Sequence, residues 1–503
     1  MSIAAHLPAL QVVLPLLSAP LAVLLRHGGL AFAIVTAGAW AAFAAAVGLW
    51  LQAGELGVVS YHIGSWAPPW GIEYRVDRLA SFVLLLVSGT AAVVLPYSRA
   101  SIEREIPREQ HYLYYAMFGL CLAGLLGITI TGDAFNIFVF LEISSLSTYV
   151  LIALGRDRRA LAASYRYLIM GTIGATFIVI GIGFLYLMTG TLNLADMAER
   201  LRAVESSRPA LAALAFLTVG ISLKLALFPL HQWLPNAYTH APSAVTAFLA
   251  ATATKVSVYV LIRFWFSVFG ETLVFHNLPL PQIMLLLSLA AMFAASFIAI
   301  FQDNLKRLFA YSSVGQIGYI TLGLHFDSVA GLTASIVHLF NHGVTKAAIF
   351  LLIGGIVAAS AATTAQGAVS PRLTFDRLAG LAKRMPLTCF GIVVAGLSLI
   401  GVPGTAGFIS KWTLIVAALE KEQYWLVGAI LLSSLLAVAY VWRFVEVAYF
   451  KPAPKASGRQ EAPPGLLIPA WLLVLATIWF GLDTSFTIGT AAEAAQQLVR
   501  VGK

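Results

Sequence analysis

The chain alternates between long apolar stretches and short polar ones. Most apolar stretches reach the roughly 17–25 residues that an α-helix needs to cross the hydrocarbon core of a bilayer. The pattern therefore predicts an all-α polytopic membrane protein with about fourteen transmembrane helices. The predicted spans lie near residues 8–25, 29–51, 79–97, 112–130, 134–154, 163–189, 210–229, 244–266, 280–301, 308–325, 329–358, 386–417, 425–449 and 464–482.

Composition agrees with this pattern. Hydrophobic residues make up 60% of the 503 residues and charged residues only 11%, whereas soluble domains carry about 25% charged residues. The sequence has two cysteines, Cys121 and Cys389, both inside apolar runs, and this number excludes a disulfide framework. No C-x-x-C or Cys/His spacing offers a ligand set for structural zinc or an iron–sulfur cluster. No basic segment precedes Leu7–Leu25, so we interpret it as the first transmembrane helix and not as a signal peptide.

The basic residues indicate an orientation. The formal net charge is +9, but the 31 lysines and arginines form no single patch, so the charge does not indicate a nucleic-acid partner. If the N-terminus lies outside, sixteen of them fall in loops on the cytoplasmic side and eight in loops on the opposite side. Because cytoplasmic loops are enriched in Lys and Arg, this bias favours an orientation with both termini outside.

The remaining basic residues lie within the apolar runs. Near a helix centre each such charge costs about 2.5–3.5 kcal/mol, so we expect each to have a structural or functional role. Arg263 and Arg443 lie near the ends of spans, where a long side chain can extend to the membrane interface. These residues are Arg166, Lys224, Lys255, Arg263, Lys346, Lys411 and Arg443.

The stretch from Gly220 to Lys255 combines two of these lysines with a helix breaker. Pro229 lacks the N–H that would bond to the carbonyl of Leu225, so polar backbone is released one turn from Lys224. In hydrocarbon such backbone is tolerated only where protein or water satisfies it, which predicts a hydrated cavity.

A weak internal repeat accompanies this stretch. Lys411 follows the breaker GVPGTAG at residues 401–407, much as Lys224 precedes Pro229. Broken helices at corresponding positions of two halves are typical of transporters with inverted repeats.

Glu142 is the acid in the middle of an apolar run, AFNIFVFLEISSLSTYVLIAL. A carboxylate in such a place is either neutral or paired with a buried cation, and Lys224 is the leading candidate for its partner. In a pair of this kind the proton affinity of each group depends on the distance to the other, which is what a proton pump requires.

His338, His342 and Lys346 recur every four residues and form one polar stripe on an apolar helix. Histidine exchanges protons near neutral pH, and lysine can join it when it is desolvated, so we interpret the stripe as a proton relay. Two alternatives stay open: the histidines are packed in the core, or His338 and His342 bind a metal ion, although no third ligand is evident.

Five further residues complete the set of candidates. Lys255 follows a Thr-Ala-Thr segment whose hydroxyls can bond to it. His231 and His240 lie at the cytoplasmic mouth of the interrupted helix and are candidate entry groups. Arg166 lies between two tyrosines and is interpreted as an auxiliary of the proton path, through an ion pair or aromatic stacking, because arginine does not release its proton. Asp133 is predicted to cap a helix.

These motifs resemble the antiporter-like proteins that are shared by Mrp-type multisubunit cation/proton antiporters, respiratory complex I and membrane-bound hydrogenases. The resemblance spans roughly residues 110–450, and within the family the sequence is most similar to the D-type component of Mrp antiporters. It rests on GDAFNIFVFLE (132–142), Lys224 with PLHQWLP (229–235), APSAVTAFLA (241–250) with Lys255, LKRLFAYSSVG (305–315), the stripe His338, His342 and Lys346, and GVPGTAGFISKW (401–412).

The resemblance implies one membrane domain, residues 1–503, with about fourteen helices and two inverted five-helix repeats. The first repeat covers residues 112–266 (helices 4–8) and the second residues 280–449 (helices 9–13), with residues 1–97 and 464–503 flanking them. Helices 7 and 12 are implied to be broken. Glu142 is implied to pair with Lys224, and Lys411 to serve a second half-channel, while Lys255 and the stripe form a central hydrophilic axis.

We therefore expect an ion-translocating subunit of a multisubunit Na⁺(K⁺)/H⁺ antiporter in the cytoplasmic (inner) membrane of a prokaryote. Its expected partners are other membrane subunits, protons and monovalent cations. The alternatives are a proton-pumping membrane subunit of an NADH-quinone oxidoreductase or hydrogenase, and a self-sufficient transporter. No quinone, flavin, nicotinamide or metal site is evident, so neither a cofactor nor enzymatic activity of the chain itself is expected.

Overall fold

The computed structural model describes residues 3–362, 373–452, 458 and 460–501. Within these ranges most of the chain is helical, and 12 helices are long and apolar enough to cross a membrane. The predicted all-α polytopic architecture is therefore confirmed. Three of the loop cations that favour the predicted orientation, Arg372, Lys455 and Arg459, lie outside the described residues, as does Lys503 of the opposite side.

The α-helices follow one another with short connections, and a two-stranded antiparallel hairpin, β1 (Val59–His62) and β2 (Glu73–Val76), joins the second helix to the third. The helices are α1 (Leu7–Leu25), α2 (Gly28–Leu56), α3 (Arg78–Glu105), α4 (His111–Ile130), α5 (Ala134–Ala153), α6 (Arg158–Thr189), α7 (Leu194–Leu201), α8 (Arg208–Leu225), α9 (Trp233–His240), α10 (Ser243–Ala251), α11 (Ala253–Ile262), α12 (Leu280–Ala290), α13 (Ser296–Ile300), α14 (Leu305–His325), α15 (Val329–Ala362), α16 (Leu381–Arg384), α17 (Pro386–Ile400), α18 (Ala406–Glu420), α19 (Tyr424–Val445), α20 (Pro464–Leu482) and α21 (Ser485–Val501).

The number of helices is compatible with the predicted number of spans. Twelve predicted spans coincide with the 12 helices that meet the length and hydropathy of a transmembrane helix. The two other predicted spans coincide with α14 and with the interrupted pair α17 and α18. The exact count and the inverted repeats stay predictions. The hairpin and the helices α7 and α21 are additions that the hydropathy pattern did not predict.

Helix α15, with 34 residues, lies at the centre of the packing. It contacts α3, α10, α14, α17, α18, α20 and α21. Small residues allow the closest approach: a Cβ added at Gly343 of α15 would lie 2.9 Å from the carbonyl oxygen of Ala251 at the end of α10. The residues of the stripe on α15 are therefore surrounded by other helices.

Three helix interruptions position the buried lysines. Helix α8 ends at Leu225, where Ala226 adopts a left-handed conformation (φ 61°), one turn before Pro229. Helix α17 ends before Gly401, whose φ of 92° favours glycine. Both interruptions were predicted. The third, at Thr252 between α10 and α11, was not, because neither proline nor glycine marks it.

Arg263 is buried in an ion pair, and the prediction that it extends to the interface was wrong. Its Nη1 donates to Asp77 Oδ2 at 2.6 Å, its Nη2 donates to the other carboxylate oxygen, and its Nε donates to the Tyr259 hydroxyl at 3.0 Å. Burial opposes ionisation of Asp77, but the charge and hydrogen bonds of Arg263 outweigh it and hold the pKa of Asp77 below its usual range. Arg443 does reach an exposed group, Asp303, at 3.1 Å.

Asp133 caps α5 as predicted. Its carboxylate accepts a hydrogen bond from the amide of Asn136 at 2.7 Å. The cap lies next to the hairpin, because the amide of Gly132 donates to the carbonyl of Glu73 at 2.8 Å. The start of the helix that carries Glu142 is thereby fixed.

Candidate functional site

The predicted pair of Glu142 and Lys224 is present. Glu142 lies on α5 and Lys224 in the last turn of α8, just before the interruption, with Lys224 Nζ 3.5 Å from Glu142 Oε1. Lys224 also donates to Ser145 Oγ at 2.9 Å. The Lys224 side chain is 4% exposed and that of Glu142 26% exposed. Lys224 is therefore held between a titratable acid and a neutral hydroxyl.

A cavity of about 30 Å³ lies beside Lys224. Its walls include Ser144 and Ser145 of α5 and Ser257 of α11. A water molecule needs at least about 10–15 Å³ and two to four polar partners, and this cavity offers both. The cavity leads from Lys224 towards the helix that carries Lys255, so it is the counterpart of the predicted hydrated cavity.

Lys255 lies at the interruption that the sequence did not predict. Its Nζ turns back and donates to the carbonyl of Ala250 at 2.5 Å and to the hydroxyl of Thr254 at 3.3 Å. The side chain is fully buried. The predicted contact with a neighbouring threonine is present, but the shorter bond is to the backbone carbonyl beside the interruption.

Both ring nitrogens of His338, the first residue of the stripe, have side-chain hydrogen-bond partners. Its Nδ1 lies 2.7 Å from Ser410 Oγ, and its Nε2 lies 3.0 Å from Gln316 Oε1. Because both ring nitrogens are engaged, His338 offers no free lone pair to a metal ion. The geometry of the described residues therefore gives no support to the metal alternative for the stripe.

His342 differs, because neither of its ring nitrogens has a hydrogen-bond partner among the described residues. Its ring stacks on that of His338 with centroids 5.8 Å apart and planes at 10°. Gly343, the residue after His342, packs against the carbonyl of Ala251, which adjoins the carbonyl of Ala250 that Lys255 bonds. A buried polar group without partners is destabilising. Packing in the core therefore accounts for His338, whose nitrogens have partners, but leaves the position of His342 unexplained.

Lys346 lies one turn after His342 on the same stripe. Its Nζ donates to Ser312 Oγ at 2.5 Å and to the carbonyl of Phe309 at 2.8 Å, both on α14. It has no carboxylate partner among the described residues. Lys346 therefore places an amine beside His342 whose hydrogen-bond partners are both neutral.

Lys411 lies beside the backbone that the second interruption opens. Its Nζ donates to the carbonyls of Leu399 at 2.9 Å and Ile400 at 3.0 Å, the last residues of α17, and to Ser434 Oγ at 3.0 Å. The Tyr319 ring centroid lies 4.4 Å from Nζ, a distance at which an aromatic face stabilises a cation. The prediction of a lysine next to released carbonyls is confirmed here.

Together these groups form one buried line from α5 to α18. The links are the contact between Glu142 and Lys224, the cavity, the close packing of α10 against α15 at Gly343, the ring stack, and the serine that precedes Lys411. In order, the members are Glu142, Lys224, Lys255, His342, His338 and Lys411, with Lys346 beside the first histidine.

Arg166 lies away from this line. It is exposed on the surface of α6 and forms no ion pair or hydrogen bond with the described residues. The prediction of an ion pair or an aromatic stack within the chain is therefore wrong for the part of the chain that the structure describes. Arg166 contacts no member of the line.

The two histidines of the interrupted helix flank α9. His231 is buried before α9, with its ring stacked on Phe228 at 5.0 Å. His240 ends α9 and lies 3.8 Å from Asp157, beside a cavity of about 60 Å³. Burial and the nearby charge of Arg159 lower the pKa of His240 to about 4, so it is neutral at pH 7. Both histidines lie outside the line.

Neutral side chains that the sequence analysis did not single out complete the line. All but Ser257, which lines the cavity, supply acceptors or donors to its charged members and to His338. Two of these side chains could have been identified from their positions in the sequence, because Ser410 directly precedes Lys411 and Ser145 lies one turn after Glu142. These side chains are Ser145, Ser257, Ser312, Gln316, Ser410 and Ser434.

Residues 131–437 match the sequence family described as NADH:quinone oxidoreductase/Mrp antiporter, TM. The chain is 41% identical over 509 residues to the N-type component of the NADH-quinone oxidoreductase of Desulforudis audaxviator, with 98% of each chain covered. It is 29% identical over 500 residues to the D-type component of the Na(+)/H(+) antiporter of Bacillus subtilis, with 98% of this chain and 97% of that one covered.

The fold is similar to one in the solved structure of the Mrp complex from a Dietzia species. The TM-score is 0.88 at 25% sequence identity, with 99% of this chain and 98% of that chain covered. The 99% of this chain that is covered includes helices that carry the buried line.

Proposed function

Since the chain belongs to the NADH:quinone oxidoreductase/Mrp antiporter family of transmembrane proteins, we propose that it translocates protons as a membrane subunit of a multisubunit Na⁺(K⁺)/H⁺ antiporter of the Mrp type. The relative from the Bacillus subtilis antiporter and the solved Mrp complex support this function and other membrane subunits as partners. The observation that carries the proposal is the buried line of titratable groups from Glu142 to Lys411.

The Glu142–Lys224 pair is the first exchange site of this proposal. When Lys224 Nζ lies against Glu142, its positive charge is stabilised by the carboxylate. When Nζ shifts towards Ser145 and the cavity, that stabilisation decreases and the proton is released more easily. The serine-lined cavity then provides the route for the proton towards Lys255.

The second part of the route runs along α15. Lys255 passes the proton to His342, whose nitrogens have no competing partner in the described protein, and the stacked His338 connects it to Ser410 and Lys411. Lys346, one turn after His342 on the same face of α15, acts on it through its charge. We assign the two halves of the route to the predicted repeats 112–266 and 280–449.

His342→Gln is expected to slow proton flux at least about tenfold and to shift its pH optimum, because glutamine keeps a polar side chain but cannot titrate. Flux per assembled complex in membrane vesicles, measured over a range of pH, tests this. His62→Gln, at an exposed position of β1, is the matched control. An unchanged rate and pH optimum for His342→Gln would mean that the ring serves packing only.

A membrane subunit of an NADH-quinone oxidoreductase is the second candidate function. It is favoured by the 41% identity to the oxidoreductase relative, which exceeds the 29% identity to the antiporter relative. The intramembrane chemistry is the same in both functions. The difference lies in the partners that drive it.

The partners therefore test the function. A tag on this chain allows the native assembly to be purified and its subunits identified by mass spectrometry. Small membrane proteins without cysteine-rich motifs, together with proton flux driven by a Na⁺ or K⁺ gradient, are expected for the antiporter. Subunits with iron–sulfur motifs and flux driven by NADH oxidation identify the second candidate. An assembly without either flux contradicts the proposal.

We propose that the protein lies in the inner membrane of a prokaryote with both termini outside. The basic loops support this orientation, which places the hairpin outside and the α5–α6 loop in the cytoplasm. Cysteines introduced at Trp70 and at Arg156, both exposed, report the two faces, since both native cysteines are buried. A membrane-impermeant maleimide added to cells with a permeabilised outer envelope should label only Trp70→Cys; labelling only of Arg156→Cys reverses the orientation.

A further inference from the structure

Three metal-ligating side chains meet away from the buried line. Glu271 and His276 flank a π-helical turn, Thr272–His276, that follows α11, and Asp327 lies in the connection between α14 and α15. One ligand atom from each lies within 4.8 Å of the other two, and His276 Nε2 is 3.5 Å from Asp327 Oδ2. In a π-helix, residues five apart come closer together than in an α-helix, which explains how Glu271 and His276 share one site.

We propose that Glu271, His276 and Asp327 bind a zinc ion. An imidazole nitrogen and two carboxylate oxygens are a ligand set that Zn²⁺ accepts, with water in the fourth position. With metal–ligand bonds of about 2.0–2.2 Å, tetrahedral ligand atoms lie roughly 3.3–3.6 Å apart, and the His276–Asp327 distance of 3.5 Å falls in this range. The other two distances between ligand atoms are no longer than 4.8 Å, and the His276 side chain is 62% exposed and has room to adjust.

A second observation also indicates a ligand. Oε2 of Glu271 is buried and has no hydrogen-bond partner among the described residues. A buried carboxylate oxygen without a partner is unfavourable, and a bound cation satisfies it directly. Lys421, which reaches the same connection, does not fulfil this role, because its Nζ donates to the backbone carbonyl of Asp327 at 3.2 Å.

The site connects two parts of the buried line. Glu271 and His276 follow the helix that carries Lys255, and Asp327 closely precedes α15, which carries His338 and His342. A metal ion held by all three side chains ties the ends of these helices together.

Zinc binding to the purified native assembly tests the site. After removal of metals with a chelator, the assembly is titrated with ZnCl₂ in competition with a chromophoric chelator. Compared with wild type, His276→Ala and Glu271→Gln are each expected to raise the dissociation constant of one zinc ion at least about tenfold. Asp327→Asn is expected to do the same; Asn is tolerated at the φ of 45° that Asp327 adopts.

Two further variants make the outcome decisive. His276→Cys supplies another zinc ligand and should retain binding, whereas a purely structural role of His276 would not be restored by cysteine. His62→Ala removes an exposed histidine elsewhere and should bind like wild type. The proposal is overturned if wild type binds no more zinc than His276→Ala. Since zinc binding is read without ion flux, the result does not depend on the proposed function.

Discussion

Glu142→Gln is expected to reduce proton flux at least about a hundredfold while leaving the amount of assembled complex unchanged. Glutamine matches glutamate in size and hydrogen bonding but does not ionise, so Lys224 loses the only carboxylate within salt-bridge distance among the described residues. Within the part of the chain that the structure describes, Lys224 then keeps only the neutral hydroxyl of Ser145 as a partner, at 2.9 Å. An acid–base partner positioned for proton transfer contributes about 10²–10⁴-fold in rate, which sets the expected size of the effect.

Lys224→Ala is expected to have the same effect, and the double variant should be no worse than either single one, because two groups that act as a unit are not additive. Ser145→Ala removes only the neutral partner of Lys224 at 2.9 Å and is the control, with a smaller expected loss. Proton flux in vesicles with matched expression is the measurement. Near-normal flux in either single variant would show that the pair does not carry protons.

Lys411→Arg is the second prediction with a large effect, since it separates charge from proton release. Arginine keeps the positive charge and the hydrogen bonds to the carbonyls of Leu399 and Ile400, but it does not deprotonate in proteins. If the proton passes through Lys411, flux falls about as far in Lys411→Arg as in Lys411→Ala, and as far as in the Lys224 variants. We expect both losses.

The opposite outcome has a distinct signature. If Lys411 only anchors the end of α17, the arginine variant transports normally and the alanine variant is reduced in abundance instead. Flux is therefore normalised to assembled complex in both variants. Ser434→Ala, which removes one of the three acceptors of Lys411, controls for loss of local hydrogen bonding. Full flux in Lys411→Arg would exclude proton release from this lysine.

The helix positions could be predicted because hydropathy and length constrain a transmembrane helix strongly. The interruptions at Pro229 and Gly401 could also be predicted, since proline lacks a donor and glycine adopts left-handed conformations. The interruption at Thr252 could not, because it depends on tertiary packing and a lysine that bonds to the carbonyl of Ala250. As a result, Lys255 and not Lys224 most resembles Lys411 in its contacts with backbone carbonyls.

The surroundings of single charges were less predictable than the helices. Arg166 and Arg263 are both arginines in apolar runs, yet the first is exposed and the second is buried against Asp77. A helix that is apolar on all sides carries no sequence signal for which face is buried, so the two could not be told apart. Asp77 is distant in sequence and precedes another helix, so the partner was not evident either.

The metal-ligating cluster escaped prediction for a similar reason. Glu271 and His276 are close in sequence, but Asp327 comes from a different connection. Spacing rules for zinc sites detect ligands in one segment or in paired short motifs. A site assembled by two loops of a helical bundle has no such spacing.

The interrupted helices also determine which countercharge each lysine has. Lys255 bonds near the C-terminal end of α10 and Lys411 at that of α17, where the aligned peptide dipoles amount to about half a negative elementary charge. This partial charge is fixed and cannot take up a proton, unlike the carboxylate that faces Lys224. Loss of a proton from Lys224 therefore leaves the full negative charge of the carboxylate, while loss from Lys255 or Lys411 leaves only the partial charge of the helix end. The two histidines lie between lysines of the second kind, and within the described part of the chain no carboxylate pairs with either ring.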